Sequence, residues 1–174
     1  MIIFRFFLTK TYVIFYIFAF CLLFGSQVHA LSCMRPNIAA TFNLLQKSDL
    51  TYRIAVGTIQ LTQKPPRYVE GKPRRVRAKF QGRFVGLNGL GSYQSLPISV
   101  QTHCVAHWCG GFPDKPKQKF LMFLQRDGDG NTLNIDACPS GDIVVFTQKR
   151  VELLQSCLRR GKCTKSAVAK GEDY

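Results

Sequence analysis

The sequence predicts a small, mainly β domain. Five short strands close into a barrel, a short helix precedes them, another follows, and disulfides staple the whole. Three observations carry that expectation. Residues 75–84 alternate strictly between charged or polar and apolar or small side chains, the period of a half-buried strand. Glycine and proline clusters cut the rest of the chain into short segments. Six cysteines follow an apolar leader, and an even set in an exported chain reads as a disulfide framework.

The leader sets the compartment. Arg5 and Lys10 precede a run from Thr11 to Gly25 that is almost wholly apolar, and Val28-His29-Ala30 places short residues where a signal peptidase reads. That is the pattern of a secretory signal peptide over residues 1–30, cleaved after Ala30. It directs the protein to the periplasm or the outside. An uncleaved anchor is one alternative, because Ile2 to Leu8 is also apolar apart from Arg5 and lengthens the span towards the ~20 residues a membrane needs. A lipoprotein attached at Cys33 is another. The 174-residue chain carries 24 lysines and arginines against 10 acids, a net charge of +14. Removing residues 1–30 takes away Arg5, Lys10 and Cys21, and leaves 144 residues, a net charge of +12 and six cysteines. That is one domain's worth of chain.

In the mature chain Ile38, Phe42 and Leu45 fall on one helical stripe that Asn37 can cap. The helix should end near Ser48-Asp49. Residues 51–61 read as the first strand. Tyr52, Ile54 and Val56 alternate, and the apolar phase then slips at Gly57 to Ile59 and Leu61, which predicts a β-bulge. Gln63 to Arg74, with its prolines, reads as an exposed loop. In the second strand Val76, Ala78, Phe80, Gly82 and Phe84 should face inward, with Arg75, Arg77, Lys79, Gln81 and Arg83 outward. Gly86 to Leu96 reads as a glycine-rich loop, and Pro97 to Thr102 as the third strand with Ile98 and Val100 inward. The unbroken apolar run Phe120 to Leu124 suits a strand buried on both faces. A turn over Asp127 to Asn131 returns it as Thr132 to Cys138. Ile143 to Phe146 is either a last short strand or the run-in to a helix. That helix is capped by Thr147, carries Val151, Leu154 and Leu158 on one face, and ends with Arg159-Arg160 before Gly161. Residues 164–174 should form a flexible tail.

The segment His103-Cys104-Val105-Ala106-His107-Trp108-Cys109-Gly110-Gly111 is the knot where the third strand ends. His103, Cys104, His107 and Cys109 are the ligand types zinc and copper take. No second pair with ligand spacing accompanies them, and a disulfide accounts for the cysteines more simply. Connectivity is not readable from spacing alone. The expected set is two local staples, Cys104–Cys109 and Cys157–Cys163, with Cys33–Cys138 tying the entry to the barrel. Asp127, Asp129 and Asn131 imitate the first half of a calcium loop. The imitation stops at Thr132, where the sharp-turn glycine belongs, so a hairpin turn is the simpler reading. No metal or other cofactor is expected.

The outward face of Arg75, Arg77, Lys79 and Arg83 is the candidate binding surface. Same-face residues along a strand stand ~6.6–6.8 Å apart, similar to the charge spacing of an extended polyanion. Phe80 and Phe84 point the other way, so no stacking platform for bases accompanies the charges. An anionic glycan or envelope surface suits them better than a nucleic acid. A solvated face that merely keeps the protein soluble competes with that reading. For catalysis, only His103 and His107 remain beyond the leader, without paired carboxylates, a Gly-x-Ser-x-Gly elbow or a phosphate-cradling loop. An enzyme is not expected.

Cys33-Met34-Arg35-Pro36-Asn37, Asp49 to Gly57, Cys109-Gly110, Phe120 to Leu124 and Leu133 to Cys138 follow one another in an order that resembles the netrin-like family. That family includes the tissue inhibitors of metalloproteases. The likeness spans most of residues 33–138, and exported bacterial proteins with His-Cys, four residues, then Cys-Gly are similar in style. It implies a five-stranded OB-type barrel over 31–163 and makes Cys33–Cys109 the rival pairing. It also implies, as an alternative function, a protein-binding protease inhibitor. The inhibitors chelate the enzyme's zinc through an N-terminal cysteine, but Cys33 would stand third, behind Leu31 and Ser32, after cleavage at Ala30. Arg35 occupies the place of their second cysteine. A small exported binding module is therefore the main expectation, and an envelope protein with no ligand the remaining one.

Overall fold

A computed structural model of the chain describes residues 33, 35–69, 71–105, 108–113, 115, 117–138 and 141–169. The expected signal peptide lies outside the described residues. Among those residues no helix is long and apolar enough to cross a membrane. The elements in chain order are α1 (Ile38–Leu45), β1 (Tyr52–Leu61), β2 (Arg74–Gly86), β3 (Gly89–Thr102), β4 (Cys104–Val105) and β5 (Trp108–Cys109), followed by β6 (Phe120–Asp127), β7 (Gly130–Ile135), β8 (Ile143–Val145), α2 (Gln148–Arg160) and α3 (Lys165–Ala169).

Five of the strands close on themselves. The order is β1-β2-β3-β7-β6, and β6 pairs back onto β1. All neighbours are antiparallel except β3 and β7, which run parallel. This is the connectivity of an OB-type barrel. Closure requires stagger. Gln125 pairs with Tyr52 on one side. On the other side the register runs from Gln125 through Thr132, Ser99 and Arg77 to Thr62, whose N–H donates to the Arg77 carbonyl. The circuit thus returns to β1 ten residues further along, at 62 rather than 52.

The barrel separates two apolar cores. Inside it lie Ala55, Ile59, Val76, Ala78, Phe80, Ile98, Val100, Met122, Leu124 and Leu133, all buried. Outside one wall, Ile54, Val56, Val85, Leu121, Phe123 and Val144 meet α1 and α2 through Ile38, Phe42, Val151 and Leu154. β6 serves both cores, as its continuous apolar run predicts, with Met122 and Leu124 inward and Leu121 and Phe123 beneath the helices.

These two cores correct the expected bulge in β1. The register to β2 passes through Gly57 unbroken, and the register to β6 runs without a shift up to it. The apolar phase changes because Ile54 and Val56 are covered by helices, whereas further along only the inward face is buried. Gly57 has a different task. It stands opposite Gly82, and a Cβ there would lie 2.3 Å from the Gln81 carbonyl oxygen and 2.7 Å from Phe80 Cε2. The Phe80 ring, itself fully buried, fills the space over both glycines. The register shift falls instead between β2 and β3, at Arg83/Val85.

The expected loop over Gly86 to Leu96 is also corrected. Only Leu87-Asn88 forms the turn; Gly86 pairs with Gly89, whose φ of +126° closes it. The following residues are strand, but β7 joins β3 only from Ser99 onward. Residues 89–98 therefore pair with β2 alone. Ser92, Tyr93 and Ser95 stay exposed there, so the segment lacks the apolar alternation of a buried strand.

Both helices end as their sequences require. The Asn37 carboxamide oxygen accepts from Ala40 N–H at 2.9 Å and Thr147 Oγ1 from Arg150 N–H at 3.3 Å, supplying the N-cap acceptors. Gly161 closes α2 at φ +70°. The Asn43 side chain exchanges two hydrogen bonds with the Cys163 backbone, 2.7 and 3.1 Å, and Asn37 Nδ2 donates to the Val168 carbonyl. The segment expected to be a flexible tail thus begins as a helix, α3, anchored on α1. Residues 170–174 lie outside the described residues.

Three disulfides match the expected set: Cys33–Cys138, Cys104–Cys109 and Cys157–Cys163. Cys109 is bonded to Cys104, so the rival Cys33–Cys109 does not form.

Replacing Gly57 by alanine should cost about 1–3 kcal/mol by overpacking. Gly86→Ala, where a Cβ meets nothing closer than the Gly89 carbonyl at 3.6 Å, should stay within about 0.5 kcal/mol of the parent. Urea unfolding of both variants measures the contrast; equal losses would refute the close approach at Gly57.

Candidate basic interface

The outer surface of β2 and β3 that the helices leave open carries the candidate site. Arg75, Arg77, Lys79 and Arg83 are all exposed on it, because alternate residues of β2 point into the barrel. Antiparallel pairing places Gln101 beside Arg75, Ser99 beside Arg77, Pro97 beside Lys79 and Tyr93 beside Arg83. Gln60 of β1 stands on the other flank of Lys79. These outward residues of β1, β2 and β3 include no carboxylate.

Three of the four cations converge. Arg75, Arg77 and Lys79 line a cleft of about 840 Å³ between the end of β1, at Thr62 and Gln63, and the β6–β7 hairpin, at Asp127 and Asn131. Ser95 and Ser99 of β3 add hydroxyls to its floor. Arg75 is held in place: its Nε and Nη2 donate to Gln101 Oε1 at 3.0 and 2.6 Å. Gln101 Nε2 in turn lies 3.1 Å from His103 Nε2. Arg83 is not part of the cleft. It lies further along the strand, against Tyr93.

Tyr93 is a site residue that the alternation of β2 does not point to. It is 61% exposed and shares the outer face with Arg83, so the wall does offer one aromatic surface beside its charges. It falls in the segment expected to be a loop, where no register assigns it a neighbour. A weak signal existed in the two-residue spacer Leu87-Asn88 followed by Gly89, a hairpin pattern.

The knot at the end of β3 is a two-stranded hairpin, Cys104 opposite Cys109 and Val105 opposite Trp108. His103 N–H donates to the Ile135 carbonyl at 2.8 Å and Gly110 N–H to the His103 carbonyl at 3.0 Å. A Cβ on Gly110 would lie 2.5 Å from the Ile135 carbonyl oxygen, which is why glycine follows Cys109. The weighed metal set of His103, Cys104, His107 and Cys109 does not assemble as ligands. Its two sulfurs are bonded to each other, and His107 lies outside the described residues. Asp127 and Gly130 pair across the turn Gly128-Asp129, the hairpin preferred over a calcium loop.

The barrel's two mouths are plugged alike. The Arg74 guanidinium carbon stands 4.9 Å from the Phe112 ring centroid, with Arg74 Nε donating to the Pro66 carbonyl. At the other end Arg53 lies 3.4 Å over Phe84. Such stacking holds a cation against an apolar mouth. On the outer face of β1, burial and the nearby Asp142 carboxylate raise the Tyr52 hydroxyl above the usual tyrosine range.

No protein-family model matches the chain, and no curated protein or solved structure matches it either.

The pairing of Cys104 with Cys109 makes a direct prediction. Native protein treated with iodoacetamide without reductant should take up no label at the six bonded cysteines. Label at Cys104 and Cys109 in peptide mass spectra would return those sulfurs to a metal site.

Proposed function

We propose that the protein is an exported, disulfide-bonded binding module whose open β2–β3 wall engages an anionic glycan of the envelope or the extracellular space. The observation that carries this reading is the convergence of Arg75, Arg77 and Lys79 in one cleft on an outer β2–β3 wall that bears no carboxylate. OB-type barrels bind oligosaccharides and oligonucleotides over strands 2 and 3 and between the loops that flank them, and the cleft occupies that position. Guanidinium groups match sulfate, phosphate and carboxylate groups with paired donors. The serine hydroxyls, Gln63 and the Asp127 carboxylate offer a sugar's hydroxyl groups partners that a bare polyphosphate would leave unused. Tyr93 gives one ring for a sugar face or a base. A single-stranded nucleic acid would want several such rings, so the glycan is favoured.

Export rests on two supports. Three disulfides in a domain of this size suit an oxidising compartment, and residues 1–30 carry the signal-peptide pattern. The netrin-like resemblance supports the same compartment and the barrel. The inhibitor role that it suggests requires Cys33 to begin the mature chain, which N-terminal sequencing of the exported protein decides.

Heparin and dextran sulfate serve as probes, with neutral dextran as the control. Binding followed by calorimetry should be saturable for the sulfated polymers and absent for dextran. Combining Arg77→Gln with Lys79→Gln should weaken it at least about ten-fold and reduce the slope of log K against log salt by about two. A folded double variant that binds heparin like the parent, with the same salt slope, would overturn the proposal and leave the wall as a solubilising surface.

A further inference from the structure

A second cleft, of about 540 Å³, opens between the end of α1, the start of β1 and the end of β2. Its lining is mixed: Leu45, Leu50, Phe84, Val85 and Leu158 give it apolar surface, and Gln46, Ser48, Thr51 and Tyr52 give it polar surface. Leu50 is half exposed, a bulky apolar side chain left in water at the entrance. The cleft is separate from the basic wall and shares no lining residue with the first cleft.

One cation enters it. Arg53 lines the cleft with its guanidinium carbon 3.4 Å over the Phe84 ring. Stacking occupies the face of the guanidinium and leaves its edge, where the five N–H donors lie. Among the described residues none of those donors makes a hydrogen bond, and neither Arg53 nor its neighbour Arg126 forms an ion pair. Asp49, the acid closest to the cleft in sequence, is exposed and likewise takes none. Arg53 pairs with Leu124 on the inward face, and Arg126 follows two residues later on the same face. Burial first, and then the nearby Arg126 charge, pull the Arg53 guanidinium below its ordinary range. Both effects disfavour a cation, and a bound anion would relieve both. An arginine with idle donors, set beside a like charge at the rim of a partly apolar pocket, is complementary to an anion that carries an apolar chain.

We propose that this cleft binds a single-chain amphiphile, whose anionic head is held by Arg53 under the field of Arg126 and whose apolar tail lies along Leu45, Leu50, Val85 and Leu158. The volume, about 540 Å³, falls in the range of small-molecule sites. The head is a carboxylate or a phosphate monoester. Both present oxygens to a guanidinium edge in the same way, so the free acid and the phosphate of a lysed lipid are two sources of one chemistry.

The test uses the full exported protein and a series of hexanoate, octanoate and decanoate, with decyl phosphate and decanol alongside, read by calorimetry. Affinity should rise about four-fold per added methylene until the cleft is filled. Decanol should bind at least ten-fold more weakly than decanoate. Comparing decanoate with decyl phosphate assigns the head group. Arg53→Gln should cut decanoate affinity at least ten-fold. Because Arg53 also plugs the barrel, Arg126→Gln, an exposed site, and Leu50→Ala provide variants that leave the fold alone; each should weaken decanoate at least three-fold. The combined variant Arg77→Gln, Lys79→Gln should bind decanoate like the parent, whatever becomes of heparin binding, so the two sites fail or stand separately. Binding of inorganic phosphate as tight as that of decyl phosphate, chain-length independence, equal affinity for decanol, or unchanged decanoate binding in Arg126→Gln and Leu50→Ala would each overturn the proposal.

Discussion

Everything in the molecule depends on β1 pairing with two neighbours at once. Its first half is bonded to β6 and its second half to β2, and the two ladders overlap only from Ala55 to Gly57. A strand that turns from one partner to the other over so short an overlap must let the next strand come close. Gly57 and Gly82 allow that approach, and Phe80 supplies the volume that their missing side chains leave. An aromatic ring laid over paired glycines lets a sheet curl sharply while keeping its interior filled. Without that closure β6 would have an open edge and the ten-residue stagger would have nothing to hold it.

Closure also divides the outside of the barrel by chemistry. Where β1, β6 and the end of β2 present apolar residues outward, α1 and α2 cover them. Where β2 and β3 present Arg75, Arg77 and Lys79 outward, nothing among the described elements does. The two proposed sites follow from this division. One is the uncovered wall itself. The other is the seam where the covering helices stop short of β1 and β2, with Arg53 at its rim.

The strands whose inward face alone is buried were legible in the sequence. β2 shows its alternation from Val76 to Phe84, and the register places its four cations where the alternation puts them. Asn37 and Thr147 announced their helices because a cap is a local interaction. Three features were not legible, each for a physical reason. The phase change at Gly57 looked like a bulge, since a sequence does not say which outward residues a distant helix will cover. Gly89 to Leu96 looked like a loop because a strand paired on one side and exposed on its outer face has little apolar pattern to show. Arg53 carries no local sequence signal that sets it apart within the first strand. Its isolation arises only from the Leu124 register that sets Arg126 beside it. The anionic partner of the basic wall lay beyond both sequence and fold, because four cations specify a sign and a spacing more than a molecule.

None of the six bonded cysteines lies in a barrel strand. Cys33 precedes α1, Cys104 and Cys109 sit in the excursion between β3 and β6, Cys138 follows β7, and Cys157 and Cys163 close the end of α2. Their separations along the chain are 5, 6 and 105 residues. Closing the long loop costs about 2–3 kcal/mol more in chain entropy than closing either short one. During oxidation the two short bridges are therefore favoured first, and each is already native. Cys33 and Cys138 then have only one another left. The short bridges thus close local excursions, and the long one alone ties the chain's entry to the strand that completes the barrel.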